Sequence, residues 1–165
     1  MKTAYLAGGC FWGMEKYLRT LDGVINTEVG YTGGEPTQAA YKFVKTGTSG
    51  HAEAIKVEYD SDKLSYESLI RYFFRIHDPT TLNQQGNDKG TQYRSSVFTS
   101  SETEKKVVEE MIKKINASGD LEDPIVTKIE PLNKFVDAED VHQDYLVKNP
   151  NGYNCHLLRS DFSFK

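Results

Sequence analysis

The stretch AIKVEY sets Ile55, Val57 and Tyr59 on one side of an extended chain and Lys56 and Glu58 on the other. Successive strand side chains point to opposite faces, so this segment rests stably only with one face buried and one wet. It must therefore join a sheet that is covered on its apolar side. Short runs at INTEVGY, YRSSVF and IVTKIE predict further strands, and TAYLA near the N-terminus predicts a short one.

The spacing turns helical in three places. After Cys10, the residues Phe11, Met14, Leu18 and Leu21 form one stripe. A second helix starts from Ser65 as N-cap, buries Leu69, Ile70 and Phe73, and stops before Asp78-Pro79. A third opens with Ser101-x-x-Glu104, a capping-box pattern, and carries Val107, Val108, Met111, Ile112 and Ile115. Hairpin-like intervals replace strict βαβ alternation. The expected class is α+β: a two-layer sandwich of helices on a mixed or antiparallel sheet, ferredoxin-like, with an irregular C-terminal tail. No repeat, low-complexity tract or Pro/Gly/Ser linker divides the 165 residues, so one domain over 1–165 is expected, with 149–165 as the tail.

Charge and hydropathy narrow the function. A net charge of −4 argues against a nucleic-acid groove built on bulk electrostatics. No apolar run is long enough to span a bilayer, and MKTAYLAGG is too short in apolar residues for a signal peptide. The expected compartment is the cytoplasm, where thiols rest mainly reduced. The two cysteines lack CxxC spacing and form no disulfide framework.

One of them, Cys10, stands in AGGCFWGMEKYL, where a short strand passes through Gly8-Gly9 into a helix. Unpaired N–H groups at a helix start favour an anion, and such a site can lower a thiol pKa from ~8.5 to about 3.5–7.5. Phe11 and Trp12 can wall the sulfur with apolar surface suited to a small hydrophobic group. The competing reading is a buried packing cysteine among core aromatics.

GGCFWGME resembles the active-site signature of the A-type peptide methionine sulfoxide reductases. GYTGG (30–34), TSGHAEAIKVEYD (48–60), HDPTTLNQQGNDKGTQYRS (77–95) and HQDYLVKNPNGY (142–153) follow in that family's order. The resemblance implies reduction of methionine S-sulfoxide in proteins, and of free methionine S-sulfoxide, back to methionine. It implies Cys10 as nucleophile, Glu53 as the acid, Tyr41 and Tyr93 as phenols holding the sulfoxide oxygen, and Asp88 as a supporting carboxylate. Phe11 and Trp12 would enclose the methyl group. The residue types suit a sulfoxide, which needs a nucleophile, a proton for its oxygen and hydrogen bonds on the S=O dipole. Glu53 must then be buried enough to stay protonated, since an ordinary glutamate with pKa ~4.3 is ionised at neutral pH.

Each residue also has a plainer reading. Glu53 could be a solvated strand-end charge, Tyr41 and Tyr93 amphipathic core residues, and Asp88 a turn residue after Gly86-Asn87. His51 and His142 read as structural. The family implies a recycling cysteine in the tail that removes the Cys10 sulfenic acid as a disulfide, which thioredoxin opens. Cys155 is the available thiol, and a buried, inert thiol is the other reading. The tail lacks the glycine-rich form of many relatives, and Lys45 occupies a position where some carry another cysteine. No metal or organic cofactor is expected, and the monomer is the default. Two other functions stand beside this one: a thiol peroxidase acting through Cys10, and a non-catalytic metal-binding module using Cys10, His51, Glu53 and Cys155.

Overall fold

The computed structural model describes residues 1–154 and 156. In chain order these form β1 (Lys2–Gly8), α1 (Phe11–Arg19), β2 (Val24–Thr32), the single-turn α2 (Tyr41–Val44), β3 (Ala52–Tyr59) and α3 (Tyr66–Arg75). A small hairpin of β4 (Gln84–Gln85) and β5 (Asp88–Lys89) follows, then β6 (Ser95–Thr99), α4 (Glu102–Ser118), β7 (Lys128–Pro131), β8 (Phe135–Asp137) and the single-turn α5 (Tyr145–Lys148). The architecture is α+β with a mixed sheet in the order β7-β6-β1-β3-β2-β8. Its neighbours are antiparallel except β6 and β7, which run parallel.

The alternation in β3 holds. Ile55, Val57 and Tyr59 are buried with Leu6 of β1, Val29 of β2 and Val97 of β6 under the helices. Phe11, Met14 and Leu18 of α1, Leu69, Ile70, Phe73 and Phe74 of α3, and Val108, Met111 and Ile115 of α4 complete that core. Each such fully buried large side chain contributes roughly 1.5–3 kcal/mol relative to exposure. The opposite face holds a smaller cluster of Ala7, Ala52, Ala54 and Phe98, packed by Tyr5, Leu132 and Phe135. Glu53 shares the parity of Ile55 and Val57, so it lies on the helix-covered face, opposite Tyr31 of β2.

The helix signals are obeyed with local adjustments. Ser65 Oγ accepts from the Ser68 N–H at 3.1 Å and opens α3, which ends at Arg75. Ser101 Oγ accepts from the Glu104 N–H at 3.2 Å, but the Glu104 carboxylate reaches the N–H of Ser100 rather than of Ser101. Leu21 lies beyond α1 because Thr20 closes that helix, yet it still packs on the core. In YRSSVF the strand starts only at Ser95, since Thr91–Tyr93 form a 3-10 turn, and in IVTKIE it starts at Lys128. Residues 149–154 and 156 carry no helix or strand. No helix among the described residues is long and apolar enough to cross a membrane.

Candidate active site

The end of β1 turns sharply into α1. Gly9 adopts φ +97, a left-handed conformation, and a Cβ there would lie 2.5 Å from the Gln85 side chain. That buried side chain is held by Asp78, whose N–H donates to Oε1 at 2.8 Å while Nε2 donates to the Asp78 carbonyl at 2.9 Å. Cys10 follows as the N-cap of α1, 7% exposed, with its backbone outside the helical region. The thiol thus stands at the positive end of the helix, as its sequence setting predicts.

A pocket of about 290 Å³ opens at this point, lined by Cys10, Phe11, Trp12, Tyr41, Glu53, Asp88, Tyr93 and Tyr153. All the predicted site residues within the described chain therefore meet in one cavity. Cys155 lies outside the described residues. A groove of about 380 Å³ beside α3 and α4 is lined by Val107, Met111 and charged side chains without a thiol.

Glu53 is 2% exposed, and its Oε1 accepts the Phe11 N–H at 3.2 Å. Burial pushes its carboxyl up to about 8; the Phe11 bond opposes this and the Asp88 charge adds to it. At neutral pH the group is a carboxylic acid able to donate a proton, unlike a solvated strand-end glutamate. Tyr41 and Tyr93 are likewise raised, first by burial and then by the Glu53 charge, so both keep the O–H that a polar oxygen needs.

Each phenol is held by a part of the fold that sequence reasoning did not identify. Glu139 accepts from the Tyr31 hydroxyl at 2.9 Å and from the Tyr41 N–H at 3.1 Å, fixing α2 against β2. Burial would raise this carboxylate, but bonds from its own backbone N–H, Tyr41 and Tyr31 lower it. Arg94 serves the Tyr93 turn: Nη1 donates to the Thr91 carbonyl at 2.9 Å, Nη2 to that of Gly50 at 3.1 Å, and Nε to Glu130 at 3.0 Å.

The apolar wall has its own support. Trp12 Nε1–H donates to His142 Nδ1 at 3.1 Å, and Tyr145 stacks on the indole with centroids 3.8 Å apart. Burial lowers the His142 pKa, with Glu139 opposing, so the ring is neutral and carries its proton on Nε2. His142 acts behind Trp12 and His51 lies elsewhere. The His51 Nδ1 accepts from Gly34 N–H at 3.3 Å and Nε2 donates to the Glu35 carbonyl at 2.6 Å. Neither is among the side chains that line the pocket.

Tyr153 and His156 were not singled out in the sequence, although Tyr153 closes the HQDYLVKNPNGY block. A tail without periodicity gives no signal for which side chain turns inward. His156 is buried, and its Nε2 donates to the Gly8 carbonyl at 2.7 Å. Burial lowers its pKa despite the Gly8 bond and the Asp88 charge.

The family model described as peptide methionine sulfoxide reductase matches residues 2–163. Peptide methionine sulfoxide reductase MsrA 2 of Rhodopirellula baltica is 48% identical, covering 96% of this chain and 92% of its own. Among solved structures, reduced Mxr1 from Saccharomyces cerevisiae superposes with a TM-score of 0.85 at 42% identity, covering 96% of this chain and 92% of that one. Mxr1 in complex with Trx2 matches with a TM-score of 0.60 at 31% identity, covering 96% and 90% of the two chains.

Proposed function

Since this chain belongs to the peptide methionine sulfoxide reductase family, we propose that its pocket reduces methionine S-sulfoxide, in proteins and free, with Cys10 as nucleophile and Glu53 as acid. The Cys10 thiolate attacks the sulfoxide sulfur while Glu53 passes its proton to the oxygen. Tyr41 and Tyr93 donate hydrogen bonds to that oxygen as charge gathers on it, and Phe11 and Trp12 enclose the methyl group. The S–O bond breaks, methionine leaves, and Cys10 retains the oxygen as sulfenic acid. Asp88 supports the pocket electrostatically, helping to hold Glu53 in its acid form.

The second half belongs to Cys155. Its thiol displaces the hydroxyl of the sulfenic acid, releasing water and leaving a Cys10–Cys155 disulfide. Thioredoxin then opens this by thiol–disulfide exchange, a reading supported by the complex of Mxr1 with Trx2. The cytoplasm suits such a reductant. The succession β1-α1-β2-β3-α3-β6, with these strands ordered β6-β1-β3-β2, supports a ferredoxin-like frame for one catalytic domain.

The observation that carries this reading is the buried, proton-retaining Glu53 bonded to the residue after Cys10. Titrating thiols after one equivalent of methionine sulfoxide tests it. Loss of both thiols with release of one methionine, abolished in Cys10→Ser, is expected. Efficient loss with peroxide but none with sulfoxide would replace it with a thiol peroxidase. Zinc retention through purification with inert thiols would favour a metal module.

A further inference from the structure

The two glycines flanking Cys10 and Phe11-Trp12 meet the tail in a way that sulfoxide reduction does not require. His156 is 6% exposed, and its Nε2 donates to the carbonyl of Gly8, two residues before Cys10, at 2.7 Å. Its backbone carbonyl accepts from the Tyr17 hydroxyl of α1 at 3.3 Å, and its N–H donates to Asn154 Oδ1 at 3.0 Å. A Cβ on Gly13 would fall 2.3 Å from His156 Nδ1 and 2.5 Å from Asn154 Oδ1, and one on Gly9 would fall 3.1 Å from His156 Nε2. Asn154 and His156 therefore sit where these glycines leave room. Just before them in the chain, Tyr153 enters the lining of the Cys10 pocket.

The economics of α1 point the same way. Glycine inside a helix is less stable than alanine by roughly 0.5–1 kcal/mol, yet Gly13 occupies the first turn of a nine-residue helix. Burying an imidazole is unfavourable unless its N–H is bonded, and the Gly8 carbonyl satisfies it. The described neighbours of Cys155 on both sides thus rest on the turn that carries Cys10.

We infer that Gly13 and His156 form a docking socket, with His156 as a positioning residue that seats the tail beside Cys10 for the second half-reaction. The inference rests on the reading of Cys155 as the resolving thiol. Docking makes the attack on the Cys10 sulfenic sulfur intramolecular and oriented, which raises its rate without touching the sulfoxide step. The bond formed is S–S, the bond broken is S–O, and the oxygen leaves as water.

The test mixes the full-length protein with a peptide carrying methionine sulfoxide and follows methionine release and thiol content in one quenched time course. Loss of the first thiol reports sulfenic acid formation, and loss of the second reports the disulfide. In His156→Ala and in Gly13→Ala, methionine release at one per enzyme keeps its wild-type rate while loss of the second thiol slows at least tenfold. Thioredoxin-driven turnover falls in parallel, and turnover with a small dithiol does not. His156→Gln, which retains a side-chain N–H donor, recovers part of the rate. Gly13→Ala improves local helix propensity, so a purely structural role predicts no such defect. Wild-type loss of the second thiol in both variants overturns the socket, as does an equal slowing of both thiol losses. Cys155→Ser separates the two ideas. Continued thioredoxin turnover in that variant removes the resolving role itself, whereas its arrest beside unaffected His156→Ala and Gly13→Ala removes only the socket.

Discussion

The backbone N–H of Phe11 donates to Oε1 of Glu53 at 3.2 Å, across 42 residues of sequence. The first residue of the helix that follows Cys10 thus holds one carboxyl oxygen of Glu53, leaving the other to carry a proton. The bond also draws on one of the unpaired N–H groups at the start of α1.

Replacing that acid changes the pH profile more than the binding. Glu53→Gln slows methionine formation in a single turnover by about 10²–10⁴-fold at pH 7, the range for a lost general acid. The deficit shrinks at lower pH, where solvent protons substitute. The wild-type rate falls as pH rises through about 8, where Glu53 loses its proton. Equal loss for the variant at every pH would contradict the donor role.

The same substitution that lowers activity raises stability above acid pH. The folded-state pKa of Glu53 is raised from 4.5 to about 8. Its favourable contribution is therefore full below about 4.5 and is lost as pH rises to about 8. Glutamine does not titrate, so Glu53→Gln gains on the wild type between pH 5 and pH 8 by about 2–4 kcal/mol. Urea unfolding at both pH values measures this, and comparing the two cancels the fixed effect of the amide.

Trp12 is the sole tryptophan, so its surroundings can be read optically. His142→Leu leaves the indole N–H without its acceptor, shifts the emission of the folded protein, and raises KM several-fold with a smaller change in kcat. Trp12→Ala lowers kcat/KM by at least about 10–200-fold, the range that a single methylene's fit is worth in an apolar pocket. A normal KM in both variants would place methyl recognition elsewhere.

On the proposed mechanism the two phenols serve one oxygen and should behave as a pair. Tyr41→Phe and Tyr93→Phe each slow single-turnover reduction by about 10²–10³-fold, the scale of losing one oxyanion donor, and the double variant is slower still. Changes confined to KM would mean that they bind substrate without stabilising the reaction.

Much of this was readable where one local rule dominated. Alternation at Ile55, Val57 and Tyr59 placed β3, and Ser65 and Ser101 marked two helix starts at the residues the structure uses as caps. Tyr93 was assigned to a strand because YRSSVF looks extended, but the Thr91–Tyr93 turn, held through Arg94, carries it to the pocket instead. The single turns α2 and α5 are too short to show a period, and β8 is only three residues long. Within the site, Cys10 was legible as a candidate thiol from its place at a helix start, whereas Glu53, Tyr41, Tyr93 and Asp88 were named through the family resemblance. Glu139 and Arg94 were not legible, since a residue that holds another through a distant backbone atom leaves no pattern in its own neighbourhood, and Tyr145 was not because its ring stacks on an indole far away in sequence.

Arg94 joins the carbonyl of Thr91, two residues before Tyr93, to that of Gly50, three residues before Glu53, and anchors both on the Glu130 carboxylate. One guanidinium is thus a common fastening for the turn that carries Tyr93 and the approach to Glu53. A substitution at Arg94 would therefore disturb two pocket residues at once, although its side chain is not among those that line the cavity.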